Sequence, residues 1–112
     1  MTQPILNRKL LLEAPVRLPD GAGGYTQGWD VLGTHWAAVV AGTGREVAGV
    51  ATSLSRVSYR ITLRAAQVGS TARPLPDQRF REGMRIFKVL AVGEADPGGR
   101  YLSCLAEEEA AV

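Results

Sequence analysis

The 112-residue chain contains one cysteine and one histidine, Cys104 and His35. A lone thiol forms no internal disulfide, and neither residue can assemble a metal site without other convergent ligands. Cys104 is therefore expected as a small core residue. Long apolar runs are missing as well. The longest uncharged ones, residues 36–41 and 89–92, fall far short of the about 20 residues that span a bilayer as a helix. In the N-terminal stretch the apolar run is only Leu10, Leu11 and Leu12. With Arg8 and Lys9 before it and Glu13 after it, this is not the pattern of a secretory leader, and the expectation is a chain that stays in the cytosol that made it. Internal repeats and low-complexity tracts are also absent.

What is present fits one folded domain. Hydrophobic residues make up 46% and charged residues 21%, which excludes a disordered tail. A domain of this size has a real but small core. The net charge is only +2, but its distribution is uneven. Residues 1–40 balance, residues 41–105 carry ten bases against five acids, and Glu107, Glu108 and Glu109 close the chain. A basic body with an acidic tip offers one side to an anionic partner and the other to a basic one. The plainer reading, arginines on solvated strand faces, accounts for the charge equally well.

Periodicity points to strands. Val57, Tyr59, Ile61 and Leu63 alternate with Ser58, Arg60, Thr62 and Arg64, the mark of a half-buried antiparallel strand. Residues 85–92 are apolar on both faces except at Arg85 and Lys88 and suit a more central strand. Asp96-Pro97-Gly98-Gly99 is a turn, so residues 85–106 read as a hairpin. Residues 9–16 make a first strand, residues 19–24 a flexible turn, and residues 25–40 a strand pair or one strand bent near Gly33. Residues 45–53 could form one or two helical turns, weakened by Gly49 and two valines. Residues 66–78, with two prolines and no period, are a long exposed loop, a kind of segment that is often functional. Five or six strands and one short helix imply an all-β fold, a small antiparallel barrel or sandwich with long loops.

Catalytic motifs do not emerge. Residues 21–24 are glycine-rich, but strand-like Tyr25, Thr26 and Trp29 follow where a phosphate loop needs a helix. Residues 42–45 lack the Lys-Ser/Thr pair of a nucleotide loop, and Thr43 reads as a cap. His35 has no nucleophile motif to serve and is expected at a surface or interface. The acids are scattered near turns. Trp29 and Trp36 are expected in the core; a base-stacking platform is the alternative. No catalytic, cofactor-binding or metal-binding residue is assigned.

The order of pieces carries more than any one of them. A basic first strand (Arg8 to Leu12) and a glycine-rich turn are followed by Tyr25, Gly28-Trp29-Asp30, Trp36-Ala37-Ala38-Val39 and Gly44-Arg45-Glu46. Then come Tyr59-Arg60-Ile61-Thr62-Leu63-Arg64, Gly83-Met84-Arg85-Ile86-Phe87-Lys88-Val89, an Asp96-Pro97 turn and Arg100-Tyr101-Leu102-Ser103-Cys104. This succession resembles the head–tail joining (head-closure, or stopper) family of long-tailed phages and its counterpart in gene transfer agents, over about residues 7–107. Residues 64–80 are longer and richer in proline than that family's pattern. The eleven arginines against two lysines fit a GC-rich genome.

The resemblance implies a structural β-barrel subunit, six or twelve copies forming a homo-oligomeric ring at the head–tail interface of a virion or gene-transfer-agent particle assembled in the bacterial cytoplasm. Such a ring meets the portal or adaptor above and the tail terminator or tail tube below. It closes the channel on DNA and involves neither membrane nor cofactor. A loop projecting into the channel would be residues 44–55 or 66–78. Candidate channel and interface residues are Arg45, Arg56, Arg73, Arg79, Arg81, Glu107, Glu108 and Glu109. Two other readings follow from the residues alone. One is a small nucleic-acid-binding barrel, motivated by the basic middle with Tyr59, Phe80 and Phe87 interleaved. The other is a small hydrolase, motivated only by His35 and the acids.

Overall fold

The computed structural model describes residues 3–42 and 57–109. Its strands are β1 (Arg8–Pro19), β2 (Tyr25–Ala41), β3 (Val57–Arg64), β4 (Arg79–Glu82), β5 (Arg85–Glu94) and β6 (Tyr101–Glu108). They close into an antiparallel barrel in the order β1-β2-β3-β6-β5-β4. Closure leaves no open edge in the barrel wall. The all-β architecture follows from period-two patterning. In β3, Ile61 and Leu63 are fully buried while Arg60 and Arg64 face out. They meet Cys104 and Leu102 of β6, which alternates in the same way.

The core joins Leu10 and Leu12 of β1 to Phe80, Phe87 and Val89 across the barrel. Burying each phenylalanine is worth about 1.5–3 kcal/mol. Cys104 is buried among these groups, as its isolation in the sequence implied, and burial pushes its thiol up to about 12. The β4–β5 hairpin turns at Gly83 and Met84 between the paired Glu82 and Arg85. Gly83 has φ +61°, the left-handed region that the first position of a tight hairpin turn requires.

Two bulges set which side chains face in. Between β1 and β2 the register steps from Leu12↔Gly33 to Glu13↔Val31, so Leu32 is the extra residue. Between β5 and β6 it steps from Val89↔Ala106 to Ala91↔Leu105, with Leu90 extra. A bulge inverts the alternation downstream. Residues 25–40 are thus one strand, irregular beside Gly33. The apolar run of β5 is a single buried face whose phase changes at Leu90.

Beyond Glu13 the first hairpin leaves the barrel. β4 pairs with β1 only as far as Glu13, and β3 pairs with β2 only from Ala37. Residues 15–19 and 25–29 pair only with each other. They form an arm whose five pairs extend about 17 Å at the rise of an antiparallel strand. At the tip, the Asp20 carboxylate accepts the N–H groups of Ala22 and Gly24 at 2.8 and 3.0 Å. These bonds hold it below the usual aspartate range.

Three expectations change. Trp36 is not in the core: its partner is Lys9 on the outer face, and 55% of it is exposed. Trp29 is half-buried, on the outer face of the arm root. His35 is half-buried and not on the outer surface. It pairs with Leu10 on the inner face and packs edge-on against Phe80, with ring centroids 6.3 Å apart. Residues 66–78 do form a long loop, largely exposed, but it buries Pro74 and Gln78. The loop is tied to β5 by Asp77 N–H to Val89 O (3.1 Å) and Val89 N–H to Gln78 O (2.9 Å). The helix expected over residues 45–53 lies outside the described residues.

Candidate functional site

Charged side chains gather in two places. The first is the barrel mouth where β1 begins and β6 ends. Here the inward positions are no longer apolar. Arg8, Tyr59, Glu82, Arg85 and Glu108 continue the inner rows of Leu10, Ile61, Phe80, Phe87 and Ala106. Arg8 donates two 2.6 Å hydrogen bonds to the two oxygens of Glu82. Arg85 grips Glu108 through Nε and Nη2, at 2.8 and 3.2 Å, and donates to the Tyr59 hydroxyl at 3.2 Å. Paired in this way, both carboxylates sit below the usual glutamate range: Glu82 through the Arg8 hydrogen bond, Glu108 through that of Arg85. The network ties five strands at the end where β2 stops and β3 begins. Its ion pairs lie across the mouth.

The second cluster lies on the outer face at the root of the arm. Arg79 and Arg81 converge on Glu13, at 2.7 and 2.9 Å. Glu13 is only 3% exposed. The Arg79 guanidinium also stacks on Trp29, 3.9 Å from the ring centroid. The buried Nε of Arg81 is near Glu13 Oε2 but makes no aligned hydrogen bond. A cleft of about 300 Å³ opens beside this cluster, lined by Gln27, Trp29, Asp77, Arg79 and Lys88 among others.

The candidate residues do not form one patch. Arg45 and Arg56 lie outside the described residues. Arg79 and Arg81 share the buried carboxylate of Glu13, which cancels half of their charge. Arg73 is half-buried in the β3–β4 loop, donating to the Ala66 carbonyl at 3.2 Å. Glu108 belongs to the mouth network. Glu107 stands on the opposite face of β6, across from Ser58 and Lys88. Glu109 is exposed, with its N–H bonded to the Ile86 carbonyl at 2.9 Å. Arg8, Glu13, Tyr59, Glu82 and Arg85 were missed. For the four charged ones the visible signal was a charge at a strand position whose neighbours two residues away are apolar; Tyr59 entered only as a stacking residue.

The residues named for the two alternative readings do not come together as a site. Phe80 and Phe87 are fully buried and Tyr59 is held in the mouth, so the three offer no platform for stacked bases. Burial holds the His35 ring below its ordinary pKa, opposed by a hydrogen bond to the Ala72 backbone. Its neighbour is the Phe80 ring and not a nucleophile. Among the described residues no three His, Cys, Asp or Glu side chains gather to hold a metal, and no helix is long and apolar enough to cross a membrane.

A closed barrel filled with side chains, carrying a protruding hairpin and exposed tryptophan and valines, has the build of an assembly subunit. The ion pairs of its two charged clusters join strands to one another. Residues 1–109 match the family model of the phage head completion protein, and the chain belongs to that family. Membership makes it a structural protein of a phage-type head. Two solved structures are similar. One is a chain from the virion of a native gene transfer agent particle, 53% identical, covering 98% of this chain and 100% of that one, with a TM-score of 0.79. The other is a Shigella flexneri 2a protein solved in solution, 18% identical, covering 98% of both chains, with a TM-score of 0.70; at that identity it speaks for the fold alone. No curated protein matches the sequence.

Proposed function

We propose that this chain is a ring subunit of the head–tail connector in a gene transfer agent or tailed phage particle. It joins the portal or adaptor to the tail and helps close the DNA channel. The observation that carries the reading is the end-to-end likeness to a chain of a native gene transfer agent virion, at 53% identity, within a head completion family. The fold is compatible with it, since a barrel with apolar side chains on its outside needs neighbours to cover them. The β3–β4 loop packs Pro74 and Gln78 against the barrel. Of the two loops expected to face the channel, residues 66–78 are thus held on the barrel, and residues 44–55 carry Arg45 with Arg56 just behind it. In a ring these arginines recur once per copy and sum into a field that DNA phosphates feel.

Electron microscopy tests the proposal. Mixed with the portal–adaptor complex of its own particle, the chain should add a ring of six or twelve copies on the tail-side face. Particles made without it should be filled heads that lose DNA and carry no tail. An unchanged portal complex, or tailed particles assembled normally in its absence, overturns the proposal.

A further inference from the structure

We infer that the β1–β2 arm of one copy lies across the outer β1–β2–β3 face of the next copy, and that this contact is what repeats around the ring. The inference rests on the ring reading above and adds which surfaces meet. The arm has its own ladder but, among the described residues, no neighbouring strand. Its Leu18 and Tyr25 are 48% and 60% exposed on opposite faces of the hairpin. Its β1 edge is unsuited to adding a further strand. Pro15 and Pro19 lack the N–H groups that would point outward there, which leaves Arg17 as the only donor of the three. The arm is thus built to dock by its side chains.

The receiving face is complementary. Trp36 and Val40 stand on one outer row of β2, 55% and 61% exposed. Lys9 is directly across the ladder from Trp36 on one side. Arg64 lies on the other, one step beyond the Ala37↔Leu63 pair. Both cations are exposed. Residues 8–12, 33–41 and 57–64, which make this face, contain no acid at all. On the arm, Arg17 is engaged over the Tyr25 ring at 4.5 Å, and the remaining charge is the Asp20 carboxylate at the tip. An apolar finger with an acid at its tip faces an apolar, basic bed. Aromatic anchors with charges around them are the composition of strong interface positions. Finger and bed are different parts of one molecule, so their contact is head-to-tail. Such a contact repeats from copy to copy and closes where the rotation allows.

Cross-linking in assembled particles decides it. A chain carrying both Tyr25→Cys and Trp36→Cys, treated with a short bis-maleimide, should give a ladder of multimers up to the full ring. Either substitution alone should give none. Cys104 stays silent because it is buried. Incorporated double-substituted copies that yield no ladder, or a Tyr25→Cys copy that cross-links to a different protein, overturn the inference while leaving the ring reading intact. Absence of the unsubstituted chain from particles sinks the ring reading itself. As a second arm, L18S/Y25S copies and K9E/W36S copies, altered only at exposed positions, should each incorporate at least about tenfold less than wild type, the loss equivalent to about 1.4 kcal/mol of contact. Incorporation of either at the wild-type level overturns the inference.

Discussion

Glu13 is the residue on which the outer wall depends most. Its carboxylate is almost wholly shielded and serves Arg79 and Arg81 together, and Arg79 is itself only 16% exposed. Removing one member of such a set leaves the others charged and poorly hydrated. We expect Glu13→Gln to cost about 2–4 kcal/mol in urea unfolding, the upper part of the range being reduced by the exposure of Arg81. The Arg8–Glu82 pair is better aligned but half in solvent, so Glu82→Gln should cost no more than about 1 kcal/mol. Equal losses at the two sites would contradict this ranking.

His35 and the mouth carboxylates act in separate pH windows. The folded His35 ring has its pKa below the ordinary 6.5, because burial disfavours the cation. The unfolded chain then binds more protons below that value, so stability falls as pH drops through 6.5 toward the folded pKa. Glu82 and Glu108 are held below the ordinary 4.5 by their arginines. Their contribution is present above that value and is lost only as pH falls through their folded pKa values. A His35→Gln chain should lose the slope between pH 7 and 5.5 in unfolding midpoints and keep the fall below pH 4.5. Cys104 gives a simpler readout. With its thiol pushed up to about 12 in the core, it should not react with a thiol reagent at neutral pH until the chain is unfolded.

Among the elements, β3 and the β5–β6 hairpin were legible because alternation and turn chemistry agreed. Val57 to Arg64 has a strict period of two, and the Asp96 carboxylate does what its place in the turn implies, accepting the N–H groups of Arg100 and Tyr101 at 2.9 and 3.0 Å. β4 was not legible. In Arg-Phe-Arg-Glu the inward positions are Phe80 and the charged Glu82, and four residues are too few to show a period. The tryptophans mislead for another reason. Trp29 and Trp36 are seven apart, which in a regular strand places them on opposite faces, yet the bulge at Leu32 puts both outside. A bulge depends on the partner strand, and no single-strand pattern encodes it. The tight turn before β5 was overlooked although its glycine was visible. Gly83→Ala forces a side chain into the left-handed region and should cost about 1 kcal/mol. Met84→Ala beside it, at a position 93% exposed, should change unfolding by less than about 0.5 kcal/mol. Equal effects of the two would mean that φ at Gly83 is not what the turn requires.

At the scale of the whole molecule, the family likeness and the barrel were within reach of the sequence, while the grouping of charges was not. Glu13 is 66 residues from Arg79, and Arg8 is 74 from Glu82. Only barrel closure between β1 and β4 brings them together. The arm likewise becomes visible only when β3 and β4 are seen to stop short of it. This division predicts that barrel and arm separate in experiment. Among the described residues, every fully buried large side chain lies in the barrel or in the loop that packs on it, and none in residues 16–28. Replacing those residues with a two-residue Asn-Gly turn should therefore leave the unfolding free energy within about 1 kcal/mol of wild type. The chain is also more extended than its length requires. Its radius of gyration is 15.2 Å with a long axis of 54 Å, where a compact chain of this size has about 13 Å. X-ray scattering of the shortened chain should show a smaller radius than wild type at unchanged stability. A shortened chain that unfolds far more easily would show that the arm supports the barrel from which it projects, and that its exposed leucine and tyrosine serve the fold before any neighbour.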